Sequence, residues 1–231
     1  MTKNIKIKVC GLRDGENIRE VVALGVDYIG LIFQEGSPYN VTMIPTHAGI
    51  IPDRADVQSS LLNGQCKRVG VFVDEMPQNI ITRVVNFQLD VIQMHGHESP
   101  TVIRNLRATL DPDIRPGIQL WKTVSIRTVD DLSACEQYAN CVDAFVFDMS
   151  CDSGGGSATP IDWNLLNAYH GPVPFLLSGC IGPDEAEEIK TALSATHSTL
   201  NCMGIDLHSP FESAPAIKDV ALLRQFLERL T

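Results

Sequence analysis

Cys10 and Asp148 are the residues of this chain best suited to move protons. Each closes a short apolar run, in Lys8-Val9-Cys10-Gly11 and Phe145-Val146-Phe147-Asp148. A thiolate can take a proton and a protonated carboxyl can give one, so such a pair facing across a cleft divides the work of base and acid. The thiol must then be held near or below neutrality, under its ordinary value of about 8.5, and the carboxyl must hold its proton when a substrate arrives. Other run ends carry polar groups too: Ser37 just past the second run, then His95, Ser178-Gly179 and Asp206. His95 reads first as a hydrogen-bonding residue at the rim of a site. Two glycine-rich turns, Gly154-Gly155-Gly156-Ser157 and Ser178-Gly179-Cys180, would let backbone amides close on an anion, so together they read as a phosphate cradle.

Such residues meet only if the chain brings many strand ends to one face. Eight apolar runs supply the strands: Ile5 to Val9, Tyr28 to Phe33, Lys67 to Val73, Val91 to His95, Ile118 to Thr123, Ala144 to Asp148, Val173 to Ser178 and Met203 to Leu207. Most are continuously apolar, as parallel strands buried on both faces must be. Their starts lie roughly 23 to 30 residues apart, with one wider gap before Lys67, which fits a repeating strand–helix unit. Helical spacing follows in Asp14 to Leu24, closed by Gly25, and in Pro77 to Phe87. It recurs from Ser99-Pro100 to Leu110, from Pro183 to Leu193 and from Lys218 to Leu230. Alternating strands and helices on this scale predict a single (βα)8 barrel over residues 1–231, with a doubly wound open sheet as the other reading. The second crossover, around 42–65, is interrupted by Pro45, Gly49, Pro52 and Gly64 and is expected to be irregular. In a barrel, the strand ends just named all fall at the mouth that carries the active site.

Composition narrows the function classes. Eighteen basic against 28 acidic residues leave a net charge of −10, and no basic cluster offers a nucleic-acid surface. No apolar run approaches the length of a membrane span. The seven cysteines are scattered, with no CxxC pair and no His/Cys spacing that suits zinc. Neither a metal nor a cofactor is expected. Met1-Thr2-Lys3-Asn4 leads straight into the first strand without a signal-peptide pattern, so the chain reads as a reduced cytoplasmic protein, and as a monomer rather than a homodimer.

A set of ordered motifs sharpens this reading. Lys8-Val9-Cys10-Gly11, Val69-Gly70-Val71-Phe72-Val73, Val91 to Ser99 and Ile161-Asp162-Trp163 resemble the phosphoribosylanthranilate isomerases of tryptophan biosynthesis. Gly204 to Ser209 and Lys218-Asp219 extend the resemblance over nearly the whole chain. It implies a cofactor-independent Amadori rearrangement of a small phosphorylated substrate, with Cys10 as general base at C2′ of the ribose and Asp148 as general acid at the ring oxygen. It also implies that Gly155, Gly156, Ser178, Gly179 and Ser209 hold the phosphate, that Asp206 lies by the anthranilate amine, and that His95 belongs to the binding surface. The family usually shows an arginine after the Ser-Pro of the second loop. Here Ser37-Pro38 is followed by Tyr39, a neutral candidate for the same contact, and Pro210 removes an amide from the last phosphate loop. A barrel acting on another phosphorylated sugar, or one binding such a ligand without chemistry, stays open at this point.

Overall fold

The computed structural model describes residues 5–42, 66–149, 161–179, 181–195 and 200–230. Gly155, Gly156 and almost all of the 42–65 crossover lie outside them. Eight parallel strands close into a barrel in chain order: β1 (Lys6–Cys10), β2 (Tyr28–Ile32), β3 (Lys67–Phe72), β4 (Val91–Met94), β5 (Gln119–Ser125), β6 (Ala144–Asp148), β7 (Phe175–Ser178) and β8 (Cys202–Leu207). The seam pairs β1 with β8, setting Lys8 beside Asp206 and Val9 beside Leu207. All eight runs anticipated from the apolar pattern are strands, and the open-sheet reading is replaced by a closed barrel.

The continuous hydrophobicity of the runs has its cause in two separate apolar layers. Alternate residues turn inward, where Tyr28, Val69, Val71, Val91, Trp121, Ala144, Val146 and Leu176 fill the barrel beneath Cys10. Tyr28 and Trp121 meet edge to face there, with ring centroids 5.0 Å apart. The other residues, among them Val9, Ile29, Leu31, Phe145 and Leu207, turn outward and pack against the helices.

Those helices are α1 (Gly15–Val22), α2 (Pro77–Phe87), α3 (Pro100–Leu110), α4 (Trp163–Asn167), α5 (Ala186–Ala195) and α6 (Val220–Leu230). Asp14 caps α1 by accepting from the Asn17 amide at 2.9 Å, and Ser99 with Pro100 opens α3 as anticipated. The crossover from β5 to β6 is a 3-10 stretch, Val129–Tyr138, and α4 is little more than one turn, so the outer ring is less regular than the strand pattern suggests.

Two helix starts differ from expectation. Helix α5 begins at Ala186 rather than Pro183, because Gly182 donates its amide to the Glu185 carboxylate at 2.7 Å and the chain turns before it coils. Helix α6 begins at Val220, not Lys218. Lys218 instead ends a small hairpin of β9 (Glu212–Ala214) and β10 (Ile217–Lys218). There its backbone exchanges two hydrogen bonds with the Asn17 side chain, and Asp219 caps the helix through the Leu222 amide at 2.9 Å.

Candidate active site

A cavity of about 730 Å³ opens at the C-terminal ends of the strands. Its lining brings together Cys10 from β1, His95 after β4, Asp148 from β6, Ser178 and Gly179 from β7, and Asp206 and Ser209 from β8 and beyond. These are seven of the ten site residues read from sequence. Gly155 and Gly156 lie outside the described residues. Tyr39 does not line the cavity. Its hydroxyl donates to Glu212 Oε2 at 3.2 Å and its ring packs edge-on against His208, with centroids 4.8 Å apart, one layer behind the wall.

The strand register sets each of these positions. Cys10 pairs with Gly30 of β2, and a Cβ on Gly30 would sit 2.6 Å from the Cys10 sulfur, so glycine there leaves the thiol its space. Asp148 pairs with Ser178, and Met149 donates its amide to the Ser178 carbonyl at 3.0 Å, which anchors the end of β6 against β7. Gly179 adopts φ +100°, and a Cβ there would meet the Met149 backbone at 2.7 Å. Only glycine lets β7 turn this close to β6. The β7 turn, Ser209 and Gly182 to Glu185 at the approach to α5 all line the cavity wall.

The electrostatics below the mouth are dominated by a buried ion pair. Lys8, fully enclosed, places Nζ 2.7 Å from Asp206 Oδ2. Alternation along β1 turns Lys8 to the same side as Cys10. The free site does not by itself meet the demand on the Cys10 thiol: its pKa is raised. Burial is the largest cause, the charge of Asp206 adds to it, and Lys8 and Lys218 oppose it without overcoming it. The His95 imidazole is reached by solvent through the mouth, yet its protein surroundings push its pKa down, with Asp148 pulling the other way. His208, which also lines the cavity, is driven down to about 3, first by burial and then by the neighbouring cations Lys218 and Lys8. It is therefore a neutral imidazole. Lys218 ties this corner together, donating to Glu212 and, at 3.2 Å, to the His208 carbonyl.

Among the described residues, no group of three or more His, Cys, Asp and Glu side chains could hold a metal ion, and no helix is long and apolar enough to cross a membrane. Cys66 and Cys135 are buried thiols pushed up to about 12, and Cys141 is also buried. They are poor nucleophiles.

Several cavity residues have no site role in the reading of the sequence: Gln93, Val71 and His208 enter only as members of motifs, and Ile32 only as part of a strand run. Lys8 could have been found, since the alternation in Ile5-Lys6-Ile7-Lys8-Val9 puts it on the face of Cys10. Glu212 and Lys218 carried no such signal, because their meeting depends on the β9–β10 hairpin.

A closed parallel barrel with ionisable side chains converging at its C-terminal mouth defines this chain as a (βα)8 barrel of the enzyme type. The chain belongs to the N-(5′-phosphoribosyl)anthranilate (PRA) isomerase family, whose pattern matches residues 7–229. It is 37% identical over 224 residues to the N-(5′-phosphoribosyl)anthranilate isomerase of Parabacteroides distasonis, covering 97% of this chain and 92% of that one. The Phocaeicola vulgatus isomerase is 38% identical, with 97% of both chains covered. The crystal structure of phosphoribosyl anthranilate isomerase from Thermotoga maritima superimposes with a TM-score of 0.75 at 25% identity, covering 98% of each chain.

Proposed function

We propose that this protein isomerises N-(5′-phosphoribosyl)anthranilate to 1-(2-carboxyphenylamino)-1-deoxyribulose 5-phosphate, with Cys10 as base and Asp148 as acid. The observation that carries the reading is the convergence of Cys10, Asp148, Asp206 and the Ser178-Gly179 turn on one cavity, in a chain of this family. Asp148 gives its proton to the furanose ring oxygen, the bond from that oxygen to C1′ breaks, and the anthranilate nitrogen forms a protonated Schiff base with C1′. Cys10 as thiolate then takes the C2′ proton. The electron pair released forms the C1′=C2′ bond and neutralises the nitrogen, and the resulting enolamine ketonises to the product.

Support for the binding roles comes from position. Ser178, Gly179 and Ser209 all line this cavity, Ser178 and Gly179 at a turn that exposes backbone amides, and we assign Gly155 and Gly156 to the same phosphate cradle. Asp206 Oδ1 is buried and has no hydrogen-bond partner among the described residues, while its other oxygen holds Lys8. An amine N–H of the substrate would satisfy it. His95 contributes a neutral wall with hydrogen-bonding nitrogens. Tyr39 acts on the pocket indirectly, through His208 and Glu212.

Expression in a tryptophan auxotroph that lacks the isomerase tests this function. Growth without tryptophan is expected from the intact chain, and no growth with Cys10→Ala or Asp148→Asn. Failure of the well-expressed intact chain to support growth would overturn the reading in favour of another phosphorylated sugar, or of binding without chemistry.

A further inference from the structure

A base that removes a proton from carbon must be a thiolate for part of its time, yet the wall around Cys10 disfavours that charge. Strand β2 presents Gly30 beside the sulfur, the apolar Ile32, and Tyr28 below, a phenol whose pKa burial raises so that it stays neutral, and the loop after it presents Tyr39, a neutral phenol engaged by Glu212. The end of β4 presents His95, and β6 presents Asp148 across the mouth. Strand β8 presents Asp206 and the neutral His208, and Lys218 stands behind, already paired with Glu212. Strand β1 presents Lys8, two residues before Cys10 on the same face and wholly out of water.

Lys8 is costly to bury, and such a cation persists only where its surroundings answer it. The single carboxylate paired with it among the described residues is Asp206, at 2.7 Å, and the strand register places that pair directly side by side. One cation thus shares its face of the barrel with two groups that can be negative, Asp206 and Cys10. We propose that Lys8 is a positioning residue for the proton transfer: its ammonium, anchored on Asp206, balances the negative charge of Cys10 as a thiolate and so makes the base available. This rests on the reading of Cys10 as the base. The balance is simple. Lys8 stays protonated throughout, the thiolate gains the C2′ proton to become a thiol, and the positive charge beside Asp206 does not change. The electrostatic pull of Lys8 on Cys10 exceeds the opposing push of Asp206, in keeping with this role.

The test is the pH dependence of iodoacetamide labelling at Cys10, read by mass spectrometry of its peptide in the full-length protein without substrate. Lys8→Met should move the labelling midpoint up by about one pH unit or more, making labelling at least tenfold slower below it. Asp206→Asn, which keeps the ammonium and removes its competitor, should move the midpoint down. Lys8→Arg should lie near wild type. A residue that only filled space would not shift the midpoint in opposite directions in the two neutralising variants. In turnover, Lys8→Met should lose kcat while KM changes little. Should Lys8→Met fail to fold, Asp206→Asn and Lys8→Arg still decide the matter. Midpoints unchanged, or moved in the same direction by both neutralising variants, would overturn the role of Lys8 while leaving the isomerase reading standing if wild type is active. An inactive wild type would overturn the isomerase reading itself.

Discussion

Gly30→Ala places a methyl group where the structure keeps space for the Cys10 sulfur, and the expected effect can be worked from the contacts. The new Cβ would lie 2.6 Å from Sγ, 3.0 Å from the Cys10 Cα and 3.1 Å from its Cβ. Ordinary contact begins near 3.4 Å, so the sulfur must retreat by roughly 0.8 Å or the β1–β2 pairing must spread. The pairing is held at this point, since Gly11 and Leu12 both donate to the Gly30 carbonyl at 3.1 Å. Most of the movement therefore falls on the thiol. Overpacking of this kind costs about 1–3 kcal/mol, or several degrees in Tm for a chain of this size. Displacing a reacting atom by nearly 1 Å costs about a hundredfold in rate. The assay is kcat and KM for N-(5′-phosphoribosyl)anthranilate beside a thermal melt, with Gly25→Ala as control. Gly25 also has a positive φ, but nothing lies within 4 Å of a Cβ there, so its substitution should lower stability and spare turnover. A Gly30→Ala protein with turnover within threefold of wild type would refute the reasoning that the position of this sulfur governs the chemistry.

Two further outcomes follow from the same geometry. Because the pKa of His208 falls to about 3 in the folded state, the unfolded chain takes up a proton near pH 6.5 that the folded chain refuses. Stability from this group is present above pH 6.5 and is lost as pH falls toward 3, by up to about 2 kcal/mol at pH 5. Urea midpoints at pH 7 and pH 5 should separate less in His208→Gln than in wild type, and equal separations would exclude His208 as the source. Gly179→Ala combines a strained φ with a backbone clash at Met149. It should cost about 1–3 kcal/mol and weaken retention of inorganic phosphate as a competitive inhibitor, and an unchanged melt would contradict the close approach of β7 to β6.

What the sequence made legible divides along the range of the interactions involved. The strands were readable because burial on both faces demands continuous apolar runs, and Val69-Gly70-Val71-Phe72 or Phe145-Val146-Phe147 cannot be satisfied otherwise. The site residues at strand ends followed, because a barrel carries all such ends to one mouth. Local capping was equally plain at Ser99. Contacts between distant loops were not. Nothing in the spacing of Lys218 tells that it leaves the helix to meet Glu212, or that Tyr39 spends its hydroxyl on the same carboxylate. The acidity of Cys10 was not legible for a related reason: the chemistry states only what the base requires, whereas burial at the top of the barrel raises the thiol and Lys8 works against it.

The central claim is that one thiol and one carboxyl carry out the rearrangement. Its most direct test is conversion of freshly made N-(5′-phosphoribosyl)anthranilate by the purified protein, with the aminoketose product identified by mass spectrometry, alongside folded Cys10→Ala and Asp148→Asn. The account predicts conversion by wild type and a loss of about 10²-fold or more in kcat for each variant. Near-native turnover in either variant, or no product from the folded wild type, would contradict it.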